Sequence, residues 1–339
     1  MRRVVLVALA LTVAVPWSAS PVAAQYKAEF KNSLVVGPAG PWGEAAIKFA
    51  DLVKERTQGR INIKNYFAGQ LFAGKQTNEF LLLNQGVADF ALGSTINWSP
   101  QIKELNLFAM PFMYPSYKAL DAVENGEPGQ RLWKLIESKG VIPLAWGENG
   151  FREITNSKRA IRKPEDLEGL KVRVVGSPIF IDTFRALGAN PVNMNWGEAQ
   201  TAFTQGTVDG QENPVVSVIQ PFKLWTVHKN ITLWHYAIDP LVLGVSKITW
   251  DGLTPGDRDI VKKTAVEVMA WQKAGARAGL DGSLEAVEVL KKNGMEVVTL
   301  SPSEVAVFKA KTKPVYDKWV HEVGADLVKS AERIIAEIK

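Results

Sequence analysis

Beyond residue 30 the chain alternates between two hydrophobic periods, and that alternation predicts its elements. Asn32 to Gly37 is a short apolar run that reads as a strand. Within Pro41 to Thr57, Trp42, Ala45, Ala46, Phe49, Ala50 and Val53 recur at helical spacing, and Gln58-Gly59 ends the helix. Arg60 to Phe67 alternates with a period of two through Ile61 and Ile63. A helix around Lys75 to Asn84 and a strand from Val87 to Leu92 follow. The grammar returns at residues 171 to 214. A valine-rich strand around Arg173 turns at Gly176-Ser177-Pro178 into a helix ending at Leu187-Gly188. A second extended piece, Pro191 to Met194, leads through Asn195-Trp196 into another helix, and the block closes on Asn213-Pro214. Strands alternating with helices predict parallel α/β sheets.

The last third is mostly helical. Thr254-Pro255-Gly256-Asp257 opens a long helix to about Leu280, with Thr as N-cap and Pro in the first turn. Helical segments follow at Gly282 to Asn293 and Ser303 to Lys311, with a strand at Glu296 to Leu300 between them. The tail from Pro314 to Lys339 is again mostly helical.

One pattern occurs twice. Gln85-Gly86-Val87-Ala88-Asp89 matches Gln205-Gly206-Thr207-Val208-Asp209, each after an amphipathic helix and before a strand. Either a common helix–Gly–strand junction arose twice, or the chain holds two lobes of similar construction with a cleft between them. A chain of 339 residues is long for one hydrophobic core. Small-molecule sites fall outside the carboxyl ends of strands in such sheets and at domain interfaces.

The N-terminus bears on compartment. Met1-Arg2-Arg3 is basic, Val4 to Val15 is apolar, Pro16 breaks the run, and Val22-Ala23-Ala24 offers small residues for cleavage before Gln25. About twelve apolar residues are too few to span a bilayer. Residues 1–24 therefore read as a signal peptide, cleaved near Ala24-Gln25, on an exported protein. The absence of cysteine removes disulfides, thiol catalysis and a lipidated N-terminal cysteine. The formal charge of +5 includes Arg2 and Arg3, so the processed chain carries about +3, scattered along it. That does not argue for nucleic acid.

Catalytic and metal-binding constellations do not emerge. His228, His235 and His321 lack helical metal spacing, and there is no nucleophile elbow, P-loop or dinucleotide glycine fingerprint. Neither an enzyme, a metal nor a cofactor is expected. Recognition residues are better represented. Arg173, flanked by Val172 and Val174, is either a solvated sheet-face arginine or a cation at the carboxyl end of a strand. In the second case its planar fork suits a carboxylate. Arg152 is either a second cation near a crossing between lobes or the partner of an acid. Trp196 is cavity wall or core. Asn213 is held extended by Pro214 and carries both a donor and an acceptor. Trp42, Asn97, Trp98, Trp146, His235 and Tyr236 complete the candidate pocket wall.

At these residues the chain resembles the extracytoplasmic solute-binding proteins of tripartite ATP-independent periplasmic (TRAP) transporters, the DctP family. The matching runs are Gly150-Phe151-Arg152 with Thr155-Asn156, Pro164 to Leu167 with Gly169 to Arg173, Leu187 to Pro191, and Asp209 to Pro214. Ala68 to Leu71 and Gln85 to Asp89 agree upstream. The resemblance implies a two-lobed α/β periplasmic binding protein fold with a ligand cleft between lobes and a long lobe-spanning helix. One lobe would take residues 25–150 plus about 238–278. The other would take 151–237 plus about 279–339, with the C-terminal helices packing across both. It further implies a periplasmic protein that clamps an organic acid and delivers it to the small and large subunits of a TRAP membrane permease. The family's clamping arginine falls on Arg173, its frequent second arginine on Arg152, its cleft amide on Asn213 and its aromatic on Trp196. Many members carry a polar residue three positions after the main arginine, where this chain has Gly176. The expected ligand is a hydroxylated or ring-bearing monocarboxylate: a sugar acid, an aromatic acid, or a 2-hydroxy or 2-oxo acid. The alternatives are a C4-dicarboxylate in the same system and a ligand-sensing subunit of a signalling system.

Overall fold

The computed structural model describes residues 26–338. The leader expected at residues 1–24 lies outside the described residues. Eleven strands are described, in two separate sheets. In chain order they are β1 (Phe30–Ser33), β2 (Ile63–Tyr66), β3 (Phe90–Ser94), β4 (Val141–Phe151), β5 (Glu153–Asn156), β6 (Lys171–Val174), β7 (Asn190–Asn193), β8 (Gly210–Asn213), β9 (Asn230–Leu233), β10 (Ile238–Ser246) and β11 (Glu296–Thr299). The first sheet has the order β2-β1-β3-β10-β4, and the second β11-β9-β5-β8-β6-β7.

Both sheets are mixed, whereas strand–helix alternation predicts parallel ones. β1 pairs parallel with β2 and β3, and β6 with β7 and β8, because each of these pairs is joined through a helical crossover. The antiparallel strands are those that pass between the sheets. β4 runs into β5 across Arg152, and β9 runs into β10 across residues 234–237. These two segments pair antiparallel on both sides of the crossing, β4 with β10 and β5 with β9. Arg152 N–H donates to the Ala237 carbonyl at 2.9 Å within it. A direct crossing has no helix to turn the chain round, so its two passes run in opposite directions.

The helix Gly40–Arg56 buries the predicted stripe from Trp42 to Val53 against the first sheet. The helix Pro255–Arg277 is capped by Thr254, whose hydroxyl accepts from Asp257 N–H at 3.2 Å. It packs on β4 and on Gly40–Arg56, and reaches the turn Val215–Ile219 that follows β8. At the C-terminus the sequence predicts a helix ending near Lys311. A single helix instead runs Pro302–Val323 straight through Pro314. An internal proline costs roughly 3 kcal/mol. Phe308, Val315 and Trp319 offset that cost by burying one face of the helix, and Trp319 Nε1 donates to Asp182 at 2.9 Å. This helix lies on Pro178–Ala186 beside the second sheet, while Ala325–Ala336 lies on Tyr117–Asn125 and Glu127–Ser138 beside the first.

The predicted helix at Lys75 to Asn84 is also modified. Only Glu79–Asn84 is α-helical, preceded by tight turns at Gln70–Phe72 and Gln76–Asn78. Ala73 and Gly74 are left-handed, with φ of +48° and +80°, which interrupts helix propagation and leaves Gln76 on a turn of its own. Among the described residues no helix is long and apolar enough to cross a membrane.

Candidate functional site

Between the two sheets lies a narrow cavity of about 30 Å³. Val35, Val36, Trp42, Gln76, Ser94, Ile96 and Asn97 line it from the first sheet's side, and Arg173, Val175, Trp196, Asn213 and Val218 from the second's. Asn149, Arg152 and Asp239 close it near the crossing. That is well below the roughly 300–1,000 Å³ of small-molecule sites, so the two sides stand close together across it.

Arg173 sits on β6 between Val172 and Val174, which are fully buried in the core. Its own side chain faces the cavity and is only 2% exposed. Nε donates to the Met194 carbonyl at 2.9 Å and Nη2 to Gln76 Oε1 at 3.3 Å, and the guanidinium lies 5.5 Å from the Trp196 ring centre. Among the described residues no carboxylate lies within ion-pair distance of it, and Nη1 has no protein acceptor. Burial pushes the guanidinium down to about 10, with Glu212 opposing and Arg152 adding to the shift, so it is a cation at neutral pH.

Arg152 has the opposite surroundings. Its Nε and Nη2 fork the Glu212 carboxylate, with Nη2 to Oε1 at 2.8 Å, and Nη1 donates to Asp239 Oδ2 at 3.1 Å. Nη2 also reaches Asn213 Oδ1 at 3.1 Å. Burial alone would lower its pKa, but Glu212 and Asp239 overcome that and raise it. Asp239 is raised by burial and held back by Arg152, and it accepts from Ser94 Oγ at 2.7 Å and Asn149 Nδ2 at 2.8 Å. Of the two readings left open for Arg152, its geometry is that of a paired arginine whose edge also meets the cavity.

Six of the ten candidate residues meet at the cavity: Arg173, Arg152, Asn213, Trp196, Asn97 and Trp42. Trp42 is anchored through Nε1 to the Leu92 carbonyl at 2.8 Å, and Asn213 Nδ2 donates to Gln211 Oε1 at 2.5 Å. The other four do not line it. Trp98 is buried in the first-sheet core with Nε1 on Glu79 at 3.1 Å. Trp146 packs against Phe108 and Trp133. Tyr236 stands behind Arg152, donating to Glu212 at 2.7 Å within an aromatic cluster. His235 has a left-handed backbone (φ +52°) that turns its ring outward, where it pairs with Glu153 and stacks on Phe151 at 4.6 Å.

Sequence reasoning alone misses Gln76, Asn149, Glu212 and Asp239. Two of these carry a signal. Asp239 is the lone charge in the apolar run Ile238–Val245, and β8 is polar along Gln211-Glu212-Asn213 yet fully buried. Buried polar groups need partners, so both runs mark a polar interior with a purpose.

Residues 33–322 match the bacterial extracellular solute-binding proteins of family 7, DctP. The chain belongs to that family. It is 31% identical to the 2,3-diketo-L-gulonate-binding periplasmic protein YiaO of Escherichia coli K12, over 86% of this chain and 87% of that one. It is 30% identical to the C4-dicarboxylate-binding periplasmic protein DctP of Rhodobacter capsulatus, over 97% and 96%. A crystal structure of a TRAP periplasmic solute-binding protein from Ralstonia eutropha H16, with bound (S)-2-acetolactate, superposes with a TM-score of 0.91 at 54% identity, over 92% of this chain and all of that one. The protein is thus a TRAP-type solute-binding protein of two lobes, one built on each sheet, and the cavity lies in the cleft between them.

Proposed function

We propose that this solute-binding protein, exported and freed of residues 1–24, captures a short organic monocarboxylate on Arg173 and delivers it to the small and large subunits of a TRAP permease. The observation that carries the reading is the buried Arg173 fork, which faces the cavity with no carboxylate partner among the described residues. A buried charge is costly unless paired. A ligand carboxylate supplies the pair, through two parallel charge-assisted hydrogen bonds. As the lobes close and water leaves, the attraction grows with the falling local dielectric. The ligand's preference for the closed form then shifts the open–closed population.

The same charges argue for one carboxylate. Among the described residues the other arginine at the cavity, Arg152, is already matched by Glu212 and Asp239, so the second carboxylate of a C4-dicarboxylate would meet Asp239 with no free cation among them. Valine and isoleucine side chains on both lobes suit a branched apolar portion. The acetolactate bound by the Ralstonia eutropha H16 protein, a branched 2-hydroxy acid with a neighbouring keto group, supports this class. The Rhodobacter capsulatus relative keeps the dicarboxylate alternative in view. A thermal-shift screen tests the reading, because a ligand that binds only the folded state raises Tm. Short branched hydroxy- and oxo-acids are expected to raise it more than succinate does. A panel in which no organic acid raises it removes the reading.

A further inference from the structure

Gln76 spans the cleft. Its turn belongs to the first lobe, where Nε2 donates to Asn97 Oδ1 at 2.7 Å. Its Oε1 accepts two bonds from the second lobe, from Trp196 N–H at 2.8 Å and from Arg173 Nη2 at 3.3 Å. Trp196 N–H is one of the free donors at the start of the helix Trp196–Gln205. Gln76 therefore satisfies a helix end on the opposite lobe and occupies one nitrogen of the anchoring arginine.

The closeness of this approach depends on Gly176. A Cβ placed there would come within 3.2 Å of Thr77 Cγ2, in the same first-lobe turn, and within 3.3 Å of Asn193 Oδ1. Next to it, Ser177 Oγ donates to Asn106 Oδ1 at 2.9 Å and accepts from Ser99 Oγ at 2.9 Å, so the first lobe presses against this edge. A larger side chain at position 176 would push the Gln76 turn away from Arg173.

We propose that Gln76 and Gly176 together set an upper size limit on the ligand, shutting the cleft over a compact acid and excluding long-chain sugar acids. The proposal rests on the organic-acid reading of the Arg173 site and adds its size class. The cavity, only about 30 Å³, is bounded on one side by the Gln76 amide. A polyhydroxylated chain extending from the carboxylate past that amide must displace it. Displacement strands the Trp196 N–H and the Asn97 side-chain oxygen Oδ1, which are buried and, among the described residues, satisfied through Gln76 alone. A compact branched acid needs the least further opening and reaches the apolar lining of Val35, Val36, Ile96 and Val175 without crossing the Gln76 amide.

The test is calorimetric titration of (S)-2-acetolactate and galactonate into the processed wild type, Gln76→Ala and Gly176→Asn, with Arg173→Ala as control. Wild type is expected to prefer the short acid. That preference should fall by at least about tenfold in each cleft variant, as expected for removing a steric and hydrogen-bonding discriminator. Arg173→Ala should weaken both acids together. Equal wild-type affinity for the two acids, or an unchanged ratio in both cleft variants, overturns the size limit and leaves the Arg173 reading intact. Failure of wild type to bind any organic acid overturns both.

Discussion

Two arginines reach the same cavity, both almost wholly buried, and their surroundings differ in kind. Arg152 is gripped by two carboxylates, Glu212 and Asp239, which hold its proton more firmly than water would. Arg173 has a carbonyl, an amide oxygen and an indole face. The first is an internal fastening across the crossing strands. The second is a charge with no carboxylate partner among the described residues, which is what supports the proposal that a ligand supplies one. Burial alone does not separate a structural arginine from a binding one; the acceptors around each fork do.

A buried carboxyl group extends the contrast. Glu79 is fully buried and has no cation within ion-pair distance among the described residues; Ser33 Oγ and Trp98 Nε1 are its only hydrogen-bond partners. A carboxylate can discard an unpaired charge by taking a proton. An arginine cannot. Burial accordingly raises Glu79 to about 8, and the bonds from Trp98 and Ser33 oppose that only in part.

Removing the paired cation should have the largest effect on stability. Arg152→Ala leaves Glu212 and Asp239 buried with no counter-ion, and should cost about 3–5 kcal/mol in chemical denaturation. A loss below about 1 kcal/mol would erase the distinction between the two arginines. The next effect concerns Glu79. Its folded pKa lies above its unfolded value near 4.5, so the folded state holds a proton that the unfolded chain gives up. The stability this contributes is full below about pH 4.5 and falls as pH rises towards 8. Glu79→Gln keeps an acceptor for Trp98 and a donor for Ser33 without a proton to lose. Relative to wild type it should gain stability on the order of 3 kcal/mol between pH 5 and 8. Parallel stability curves for the two proteins across that range would contradict the account. The smallest effect is expected at Arg173 in the absence of ligand. Arg173→Met removes an unpaired buried charge, so the unliganded protein should keep its Tm or gain about 1 kcal/mol. A loss of several kcal/mol would make Arg173 a fastening like Arg152.

The contrast also explains what was legible in the sequence. The block from Lys171 to Pro214 displays its strands, turns and helices locally, so residue order alone puts Arg173, Trp196 and Asn213 at strand or helix ends. The partners of Arg152 lie at Glu212 and Asp239, far along the chain, and spacing carries no trace of that pairing. Gln76 was hidden because it depends on left-handed Ala73 and Gly74 and on contact with the other lobe. Trp98, Trp146 and Tyr236 read as wall candidates because an aromatic's sequence context does not say which of its neighbours closes over it. The helix through Pro314 escapes prediction for a related reason, since tertiary packing overrides a local breaker.

Everything proposed for this protein turns on Arg173 anchoring the ligand's carboxylate. The decisive experiment is calorimetric affinity of Arg173→Ala, with unliganded Tm measured on the same preparation. With (S)-2-acetolactate, or the strongest acid from the thermal screen, the variant should lose about 2–5 kcal/mol of binding while its Tm stays at or above that of wild type. Unchanged affinity in a well-folded Arg173→Ala protein would contradict the account.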